Sequence, residues 1–330
     1  MSVTPPSERG SSASPLWAIT SHFNPAGYRR RLENFRLFRQ ALPVPLLVVE
    51  CGGEDGVLQL QPRDAELVVQ CPRGAALFQK ERLLNHALRF LPPHCRYVAW
   101  MDCDVILRGR EWPDRAIAAL ANNPLVQLFS TVYDLRPGLT RVDWSADLDA
   151  QSWRSRPSVT QALADGVSIE DTMHRHAPSS SGMAWAARRE LLEQHGLYDR
   201  CIIGGGDTAF ACAAWGRPDL LVGRHHMNGA QARDYLAWAG GLRGALPGPP
   251  DHLRDQPLAH LWHGKREDRQ YQSRHVALQA HDFDPHTDIA IGPDGAWIWS
   301  SPKPALHACL RDYFARRQED RCDGDGEDLS

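Results

Sequence analysis

Residues 97–107 read "YVAWMDCDVIL", and this stretch holds the strongest indication of the architecture. An apolar run ends at Met101, and Asp102 and Asp104 follow it, one residue apart. The run predicts a buried strand, yet a carboxylate inside an apolar core is costly unless it is paired or binds a cation. Two interpretations stay open at this point: a solvated turn at the end of a strand, or carboxylates that hold a positive group.

Short apolar runs alternate with helical patterns on the N-terminal side of this stretch. Runs 16–20, 44–50 and 65–70 are rich in branched residues and flanked by turn-forming or polar residues, which is typical of strands. Segments 27–41 and 76–91 carry apolar residues at helical spacing. Strand, helix and strand in this order predict a mostly parallel sheet with right-handed crossovers, and hence an α/β fold.

The C-terminal side is less regular, and 131–181 predicts a loop-rich insert. Residues 240–257 have the Gly and Pro content of a mobile loop, of the kind that closes over a ligand in transferases. The remaining predicted elements are a helix (112–121), a strand (126–130), a strand running into a helix (182–196), a compact helix (207–216), a hairpin (288–301) and a last helix (304–317).

The chain has 330 residues, 42% of them hydrophobic and 23% charged, with a formal net charge of -3. That charge gives no global attraction to nucleic acid or to an anionic membrane. No apolar run approaches the roughly 20 residues that span a bilayer, and no signal peptide is visible. We therefore predict a cytoplasmic protein without membrane attachment. Residues 1–14 predict a disordered leader and 318–330 a disordered acidic tail, around one domain at 15–317.

Two further segments carry polar groups suited to chemistry. In "CIIGGGDTAF" (201–210), Asp207 follows three glycines. It either caps a helix after a tight turn, or acts as a base that faces a ligand admitted by the glycines. In "AHLWHGKREDRQYQSRH" (259–275), His260 and His263 are each either structural histidines or metal ligands. Imidazole added to carboxylate ligands favours Mn2+ over Mg2+ without excluding Mg2+.

In this order, the three features resemble a glycosyltransferase of the GT-A fold, most of all the β-1,4-galactosyltransferase and chondroitin-synthase branch. "KERLLNHALRFL" before "YVAWMDCDVIL" is similar to that branch's Lys-Leu-Leu-Asn helix and Asp-Val-Asp motif. "GMAWAARRELLEQHGLYDRCIIGGGD" takes the place of the segment leading to Gly-Gly-Glu-Asp, and "HLWHGKREDR" supplies the late histidine. The resemblance covers roughly residues 16–275. It implies a Rossmann-like, mostly parallel sheet flanked by helices, with a nucleotide-sugar half at about 15–130 and an irregular acceptor half at about 131–317.

The resemblance also implies roles for single residues. Asp104 and His263 would bind the metal, Mn2+ or Mg2+, and whether His260 takes the place of His263 stays open. Asp102 would lie beside the donor's sugar or ribose, and Asp207 would be the base that removes the acceptor's proton. Strand ends, the helix before the central strand and the glycine turn supply the other predicted donor-binding residues: Thr20, Glu50, Arg82, Asn85, Gly205 and Gly206.

The implied activity is transfer of a sugar from a nucleotide-diphosphate sugar, with a UDP-sugar favoured, to an acceptor hydroxyl, with inversion of the anomeric centre. Two alternatives stay open: a nucleotidyltransferase, and a non-catalytic nucleotide-sugar-binding protein of the same fold. Residues 200–203 replace the relatives' tryptophans, and Gly206 replaces an acid before the catalytic aspartate. The acceptor is therefore not inherited from the family. A glycan, a small metabolite and a hydroxylated DNA base all stay open, with DNA disfavoured by the net charge.

Overall fold

The computed structural model describes residues 2–4, 14–173, 179–271 and 273–321. Its strands are β1 (Ser2–Thr4), β2 (Leu16–Phe23), β3 (Leu46–Cys51), β4 (Leu67–Cys71), β5 (Tyr97–Met101), β6 (Val105–Leu107), β7 (Leu125–Gln127), β8 (Thr131–Leu135), β9 (Ser152–Pro157), β10 (Ala184–Arg188), β11 (Asp251–His252), β12 (Pro257–His260), β13 (Ile289–Ile291) and β14 (Trp297–Trp299). Most of the predicted leader and tail lies outside the described residues.

The helices occupy the segments between these strands and the end of the described chain. They are α1 (Arg29–Ala41), α2 (Lys80–Ala87), α3 (Trp112–Asn122), α4 (Leu148–Gln151), α5 (Val159–Ala164), α6 (Ile169–Met173), α7 (Arg189–His195), α8 (Gly206–Ala214), α9 (Pro218–Arg224), α10 (Gly229–Ala245), α11 (Ser273–Gln279) and α12 (Pro304–Ala315). Short 3-10 helices lie at Pro62–Asp64, Leu88–Phe90 and Glu267–Arg269. None of the helices in the described ranges is both long and apolar enough to cross a membrane.

The centre of the fold is an eight-stranded sheet in the order β1-β4-β3-β2-β5-β10-β7-β11. The four ladders β4·β3, β3·β2, β2·β5 and β7·β11 are parallel. The three ladders that involve β1 or β10 are antiparallel. The predicted fold class is confirmed: a mixed α/β structure with a mostly parallel central sheet.

The central strands are buried on both faces, which explains why their sequences are almost wholly apolar. Successive residues point to opposite sides of the sheet. Ile19 and Leu47 therefore pack in the same cluster as Leu83 of α2, and Val48 packs in the other cluster with Phe35 of α1. Helices on both faces close the two layers of core and leave the carboxyl ends of β2 and β5 open.

A second, four-stranded sheet has the order β6-β12-β8-β9. It corrects the prediction of a loop-rich insert at 131–181, because β8 and β9 pair there as antiparallel strands. Their apolar residues Val132 and Leu135 are fully buried, although the strands are short and separated by polar residues. In this sheet His260 of β12 stands beside Asp134 of β8 and Val105 of β6.

The predicted mobile loop at 240–257 is wrong in its first part. Helix α10 continues through Gly240 and Gly244 to Ala245. Ala239 and Leu242 on the same helix are buried, and their packing outweighs the cost of about 1 kcal/mol that a helical glycine carries relative to alanine.

The predicted boundary between domain and tail at 317/318 falls inside a structured segment. Glu319 is 1% exposed and pairs with Arg31 and Arg317, each through a contact of 2.7 Å. The carboxylate of Asp320 accepts hydrogen bonds from the first backbone N–H groups of α1, which a helix leaves unsatisfied. The ordered part of the domain therefore extends to at least residue 321, and residues 322–330 lie outside the described part.

Candidate active site

A cavity of about 330 Å³ opens at the carboxyl ends of β2 and β5. This is the edge of a parallel sheet where α/β proteins bind their ligands. The wall of the cavity draws on the first, middle and last thirds of the chain. It brings together six of the residues predicted from the sequence: Thr20, Asp102, Asp104, Gly205, Asp207 and His263.

Glu50 was predicted to border the nucleotide, but it does not line this cavity. It is 1% exposed, and its carboxylate accepts hydrogen bonds from the backbone N–H groups of Gln59 and Leu60 and from the Gln70 amide. Its oxygens are therefore engaged in fixing the loop between β3 and β4. Thr20 of β2 lines the cavity, and its hydroxyl donates to the Met101 carbonyl at 2.7 Å.

Arg82 and Asn85 also lie outside the cavity wall, in contrast to their predicted donor-side role. Both bind the carboxylate of Asp199 at 3.1 Å. Asn85 exchanges two further hydrogen bonds with the backbone of Leu197. These side chains attach α2 to the segment after α7, because the helical spacing that places Lys80 on the cavity side turns them to another face.

Asp104, His260 and His263 form a cluster with the geometry of a cation site. One ligand atom from each lies within 4.8 Å of the others. Asp104 lies 3.7 Å from His260 Nε2 through Oδ1 and 3.6 Å from His263 Nε2 through Oδ2. Asp104 Oδ1 is buried without a hydrogen-bond partner among the described residues. An orphaned carboxylate oxygen facing two imidazoles fits a divalent transition metal such as Mn2+.

His260 is oriented by a carboxylate that the sequence did not single out. Its Nδ1 lies 2.7 Å from Asp134 Oδ1, and Asp134 also pairs with Arg156. Burial alone would raise the pKa of Asp134, but the hydrogen bond and charge of His260 and the charge of Arg156 hold it at about 2. An ionised Asp134 places the proton of the imidazole on Nδ1. The lone pair of Nε2 then points towards Asp104, as metal ligation requires.

His263 has the opposite kind of neighbour at Nδ1. The guanidinium of Arg269 contacts this nitrogen and also donates to the His263 carbonyl at 2.8 Å. Burial first, then Arg269 and His260, hold the pKa of His263 well below its usual range, so the ring is neutral. A donor at Nδ1 favours the tautomer with its proton on Nε2. His260 is therefore the histidine already prepared to bind a cation, and His263 would have to exchange tautomers.

Lys80 joins the two remaining carboxylates of the site. Its Nζ lies 3.0 Å from Asp102 Oδ1 and 2.8 and 2.7 Å from the two oxygens of Asp207. Burial, and then the like charge of Asp207, raise the pKa of Asp102 to about 6 despite the opposing charge of Lys80. Lys80 belongs to the quoted "KERLLN" segment but was not predicted as a site residue, since a helical lysine is usually solvated.

The glycine turn that carries Asp207 is held by neighbouring side chains. Gly204 and Gly205 have φ values of 93° and 97°, which favour glycine. A Cβ atom on Gly205 would lie 2.3 Å from the ring of His225, and one on Gly206 would lie 2.3 Å from the carboxylate of Glu81. The absence of a side chain at Gly205 and Gly206 thus makes room for the His225 ring and the Glu81 carboxylate. Gly206 does not line the cavity, contrary to its predicted donor contact.

The cavity wall is rich in arginine, which the sequence did not reveal because the residues are scattered along it. Three of them, Arg31, Arg269 and Arg317, surround Glu319. Burial would raise the pKa of Glu319, but these guanidiniums hold it at about 2. The arginines that line the cavity are Arg31, Arg154, Arg156, Arg224, Arg266, Arg269, Arg274 and Arg317.

Comparison with known proteins finds similarity in structure only. No family model matches the sequence, and no curated protein matches it. S. aureus TarS 1-349 in complex with UDP-GlcNAc is 11% identical over 91% of this chain and 72% of that chain, with a TM-score of 0.41. The mannosyltransferase PcManGT from Pyrobaculum calidifontis, in complex with GDP-Man and Mn2+, is 14% identical over 91% and 73%, with a TM-score of 0.39. The catalytic domain of Drosophila β1,4-galactosyltransferase 7 is 14% identical over 59% and 58%, with a TM-score of 0.28.

Proposed function

We propose that the protein is a metal-dependent glycosyltransferase, which moves a sugar from a nucleotide-diphosphate sugar, with a UDP-sugar favoured, to an acceptor hydroxyl. One observation carries the proposal. A single cavity holds a candidate cation cluster of Asp104, His260 and His263 and, joined by Lys80, the carboxylates of Asp102 and Asp207. The order of these residues along the chain is that of the family motifs described above.

The cation cluster and the arginines beside it suit a diphosphate leaving group. Asp104 and His260, with His263 as a third ligand, would hold Mn2+ or Mg2+. When bound, such an ion supplies positive charge that stabilises the departing diphosphate. Asp134 keeps His260 in the ligating tautomer, and Arg31, Arg269 and Arg317 add fixed positive charge on the same wall.

Asp207 is the proposed general base. The acceptor oxygen forms a bond to the anomeric carbon, the bond from that carbon to the diphosphate oxygen breaks, and the hydroxyl proton passes to the Asp207 carboxylate. A single displacement of this kind inverts the anomeric centre. Lys80 orients Asp207 through both carboxylate oxygens, and Asp102 on the same ammonium group would border the sugar.

The decisive experiment compares Asp207→Asn with the unmodified protein. General base catalysis contributes about 10²–10⁴-fold, so turnover should fall by about 100-fold or more. Binding of the nucleotide sugar in the presence of Mn2+ should stay nearly unchanged, because the proposed donor contacts do not include Asp207. Release of nucleoside diphosphate from a panel of nucleotide sugars measures turnover, and thermal shift measures binding.

Asp219→Asn serves as the matched control, since Asp219 is an exposed aspartate on the next helix. Normal turnover in Asp207→Asn would contradict the assignment of the base. Release of pyrophosphate in place of nucleoside diphosphate would favour nucleotidyl transfer. Tight binding without any product across a broad acceptor panel would favour a non-catalytic binding protein.

A further inference from the structure

The cavity carries more positive charge than the proposed donor can balance. Eight arginines and Lys80 line it, against four aspartates. A divalent cation and the diphosphate of a nucleotide sugar bring charges of opposite sign and similar size, so together they leave the excess in place. Glu81 and Glu319, behind the wall, offset only part of it. A second anionic ligand would balance the remaining positive charge.

Arg274 shows where this second anion belongs. It is 7% exposed, yet its polar contacts in the described part of the chain are neutral. They are the Tyr313 hydroxyl at 2.9 Å and the His275 ring at 3.4 Å. The rings of Tyr271 and Tyr313 lie within cation–π range of its guanidinium, with centroids at 5.0 and 5.8 Å. A buried cation whose contacts are all neutral is costly, and an anionic ligand in the cavity would remove that cost.

Arg274 lies next to the turn that presents Asp207. Its guanidinium is 3.1 Å from the place of a Cβ atom on Gly204. The rings of His225 and His275 stack at 3.7 Å on the same wall, and Arg224 precedes His225 in the chain. Arg317 also lies near the ring of Tyr313, with its guanidinium 5.9 Å from the ring centroid. The anion site would therefore lie beside the glycine turn that carries Asp207.

We propose that the acceptor is a hydroxyl-bearing phosphate ester, and that Arg274, assisted by Arg224, binds its phosphate group while Asp207 faces its hydroxyl. The proposal rests on the proposed function and adds the substrate class. A guanidinium binds phosphate through two parallel N–H donors and keeps its charge at any working pH. The Tyr313 hydroxyl and the nearby Tyr271 ring hold the Arg274 guanidinium in place.

The test is calorimetric titration of the full chain, saturated with UDP and Mg2+, with inorganic phosphate. We expect saturable binding that Arg274→Gln weakens about tenfold or more, since the variant loses charge-assisted hydrogen bonds to the phosphate. Arg274→Lys keeps the charge without the fork and should bind with intermediate affinity. Arg311→Gln, on the half-exposed face of α12, is the matched control. Acetate at equal ionic strength separates phosphate recognition from carboxylate recognition.

Several outcomes would overturn the proposal: no saturable phosphate binding, equal binding by Arg274→Gln and the unmodified chain, or acetate as strong a ligand as phosphate. If neither UDP nor another nucleoside diphosphate binds, the proposed function fails, and phosphate is titrated into the free protein instead. Loss of binding in Arg274→Gln but not in Arg317→Gln then still supports the anion site. The reverse pattern assigns phosphate to the arginines near the cation cluster and rejects the site.

Discussion

The two ends of the cavity hold buried charge in different ways. At the metal end (Asp104, Asp134, His260 and His263), a buried carboxylate oxygen has no hydrogen-bond partner among the described residues. At the base end (Lys80, Glu81, Asp102 and Asp207), one ammonium group already bridges two carboxylates. Asp104 at the metal end therefore lacks a cation that a ligand can supply, whereas Lys80 already serves the carboxylates of the base end. Binding of a metal ion should therefore give Asp104 its missing partner and leave the contacts at the base end unchanged.

Removing the charge of Asp134 tests the metal end and has the largest expected effect of the three comparisons. Asp134→Asn leaves the size of the side chain unchanged but no longer holds the Nδ1 proton of His260 with a negative charge. Loss of such an outer carboxylate typically weakens metal binding 10–100-fold, and we expect about that loss for Mn2+. Titration of Mn2+ followed by calorimetry or by the spin signal of the free ion measures the affinity.

Asp149→Asn, an exposed aspartate of the same region, is the control and should bind Mn2+ normally. Unchanged affinity in Asp134→Asn would mean that His260 is not a ligand, or that its tautomer is set by another group. In either case, Asp134 would no longer explain why His260 is better prepared than His263 to bind a cation.

A methyl group at position 206 tests the packing of the base end. In Gly206→Ala the new Cβ would lie 2.3 Å from the Glu81 carboxylate, so the buried Glu81 side chain, the turn or α2 must shift. Overpacking of a buried site costs about 1–3 kcal/mol, and we expect the free energy of unfolding in urea to fall by about 2 kcal/mol. Mn2+ affinity should be unaffected, because the metal end does not contact Gly206.

Gly240→Ala provides the opposite control. Nothing lies within 4 Å of the place of its Cβ atom in α10, and alanine is favoured in a helix by up to about 1 kcal/mol. Equal stability of Gly206→Ala and the unmodified protein would show that the turn accepts a side chain, and that Glu81 does not require a glycine there.

The pH dependence of the free energy of unfolding also differs between the two ends of the cavity. Burial raises the pKa of Glu81 from 4.5 to about 7. The folded chain therefore keeps this proton to higher pH than the unfolded chain, and the stability that Glu81 contributes is lost as pH rises from about 4.5 to about 7. Glu81→Gln lacks this loss, so its stability relative to the unmodified protein should increase steadily as pH rises across that window.

Urea unfolding at pH 5, 6, 7 and 8 gives the measurement, with Glu193→Gln, a half-exposed surface glutamate, as the control. If the free energies of unfolding of Glu81→Gln and the unmodified protein differ by the same amount at every pH, Glu81 is ionised throughout and Lys80 compensates its charge fully. Asp134 and Glu319, whose pKa values are lowered to about 2, lose their contribution only in acid, as pH falls below about 4.

The strands of the first half could be predicted because their burial on both faces demands continuous apolar runs, as in β2, β3 and β5. Asp102 and Asp104 could be predicted because they come just after the apolar run of β5, and Asp207 because it follows three consecutive glycines. The contact of His260 with Asp134 could not be predicted, because the two residues are 126 positions apart in the sequence and only the β8–β12 register brings them together. The arginines that line the cavity could not be predicted either. They come from α1, β9, α9 and the chain after β12, and no local sequence pattern connects them.

The described end of the chain also bears on how the protein is shortened or tagged. Cutting after Arg317, where composition alone would place the domain limit, deletes Glu319 and Asp320 together. Arg31, Arg269 and Arg317 would then repel one another with no carboxylate between them, and α1 would begin with uncapped N–H groups. A polypeptide trimmed there would be weakened next to the proposed diphosphate position, so a fusion partner belongs at the N-terminus or beyond residue 321.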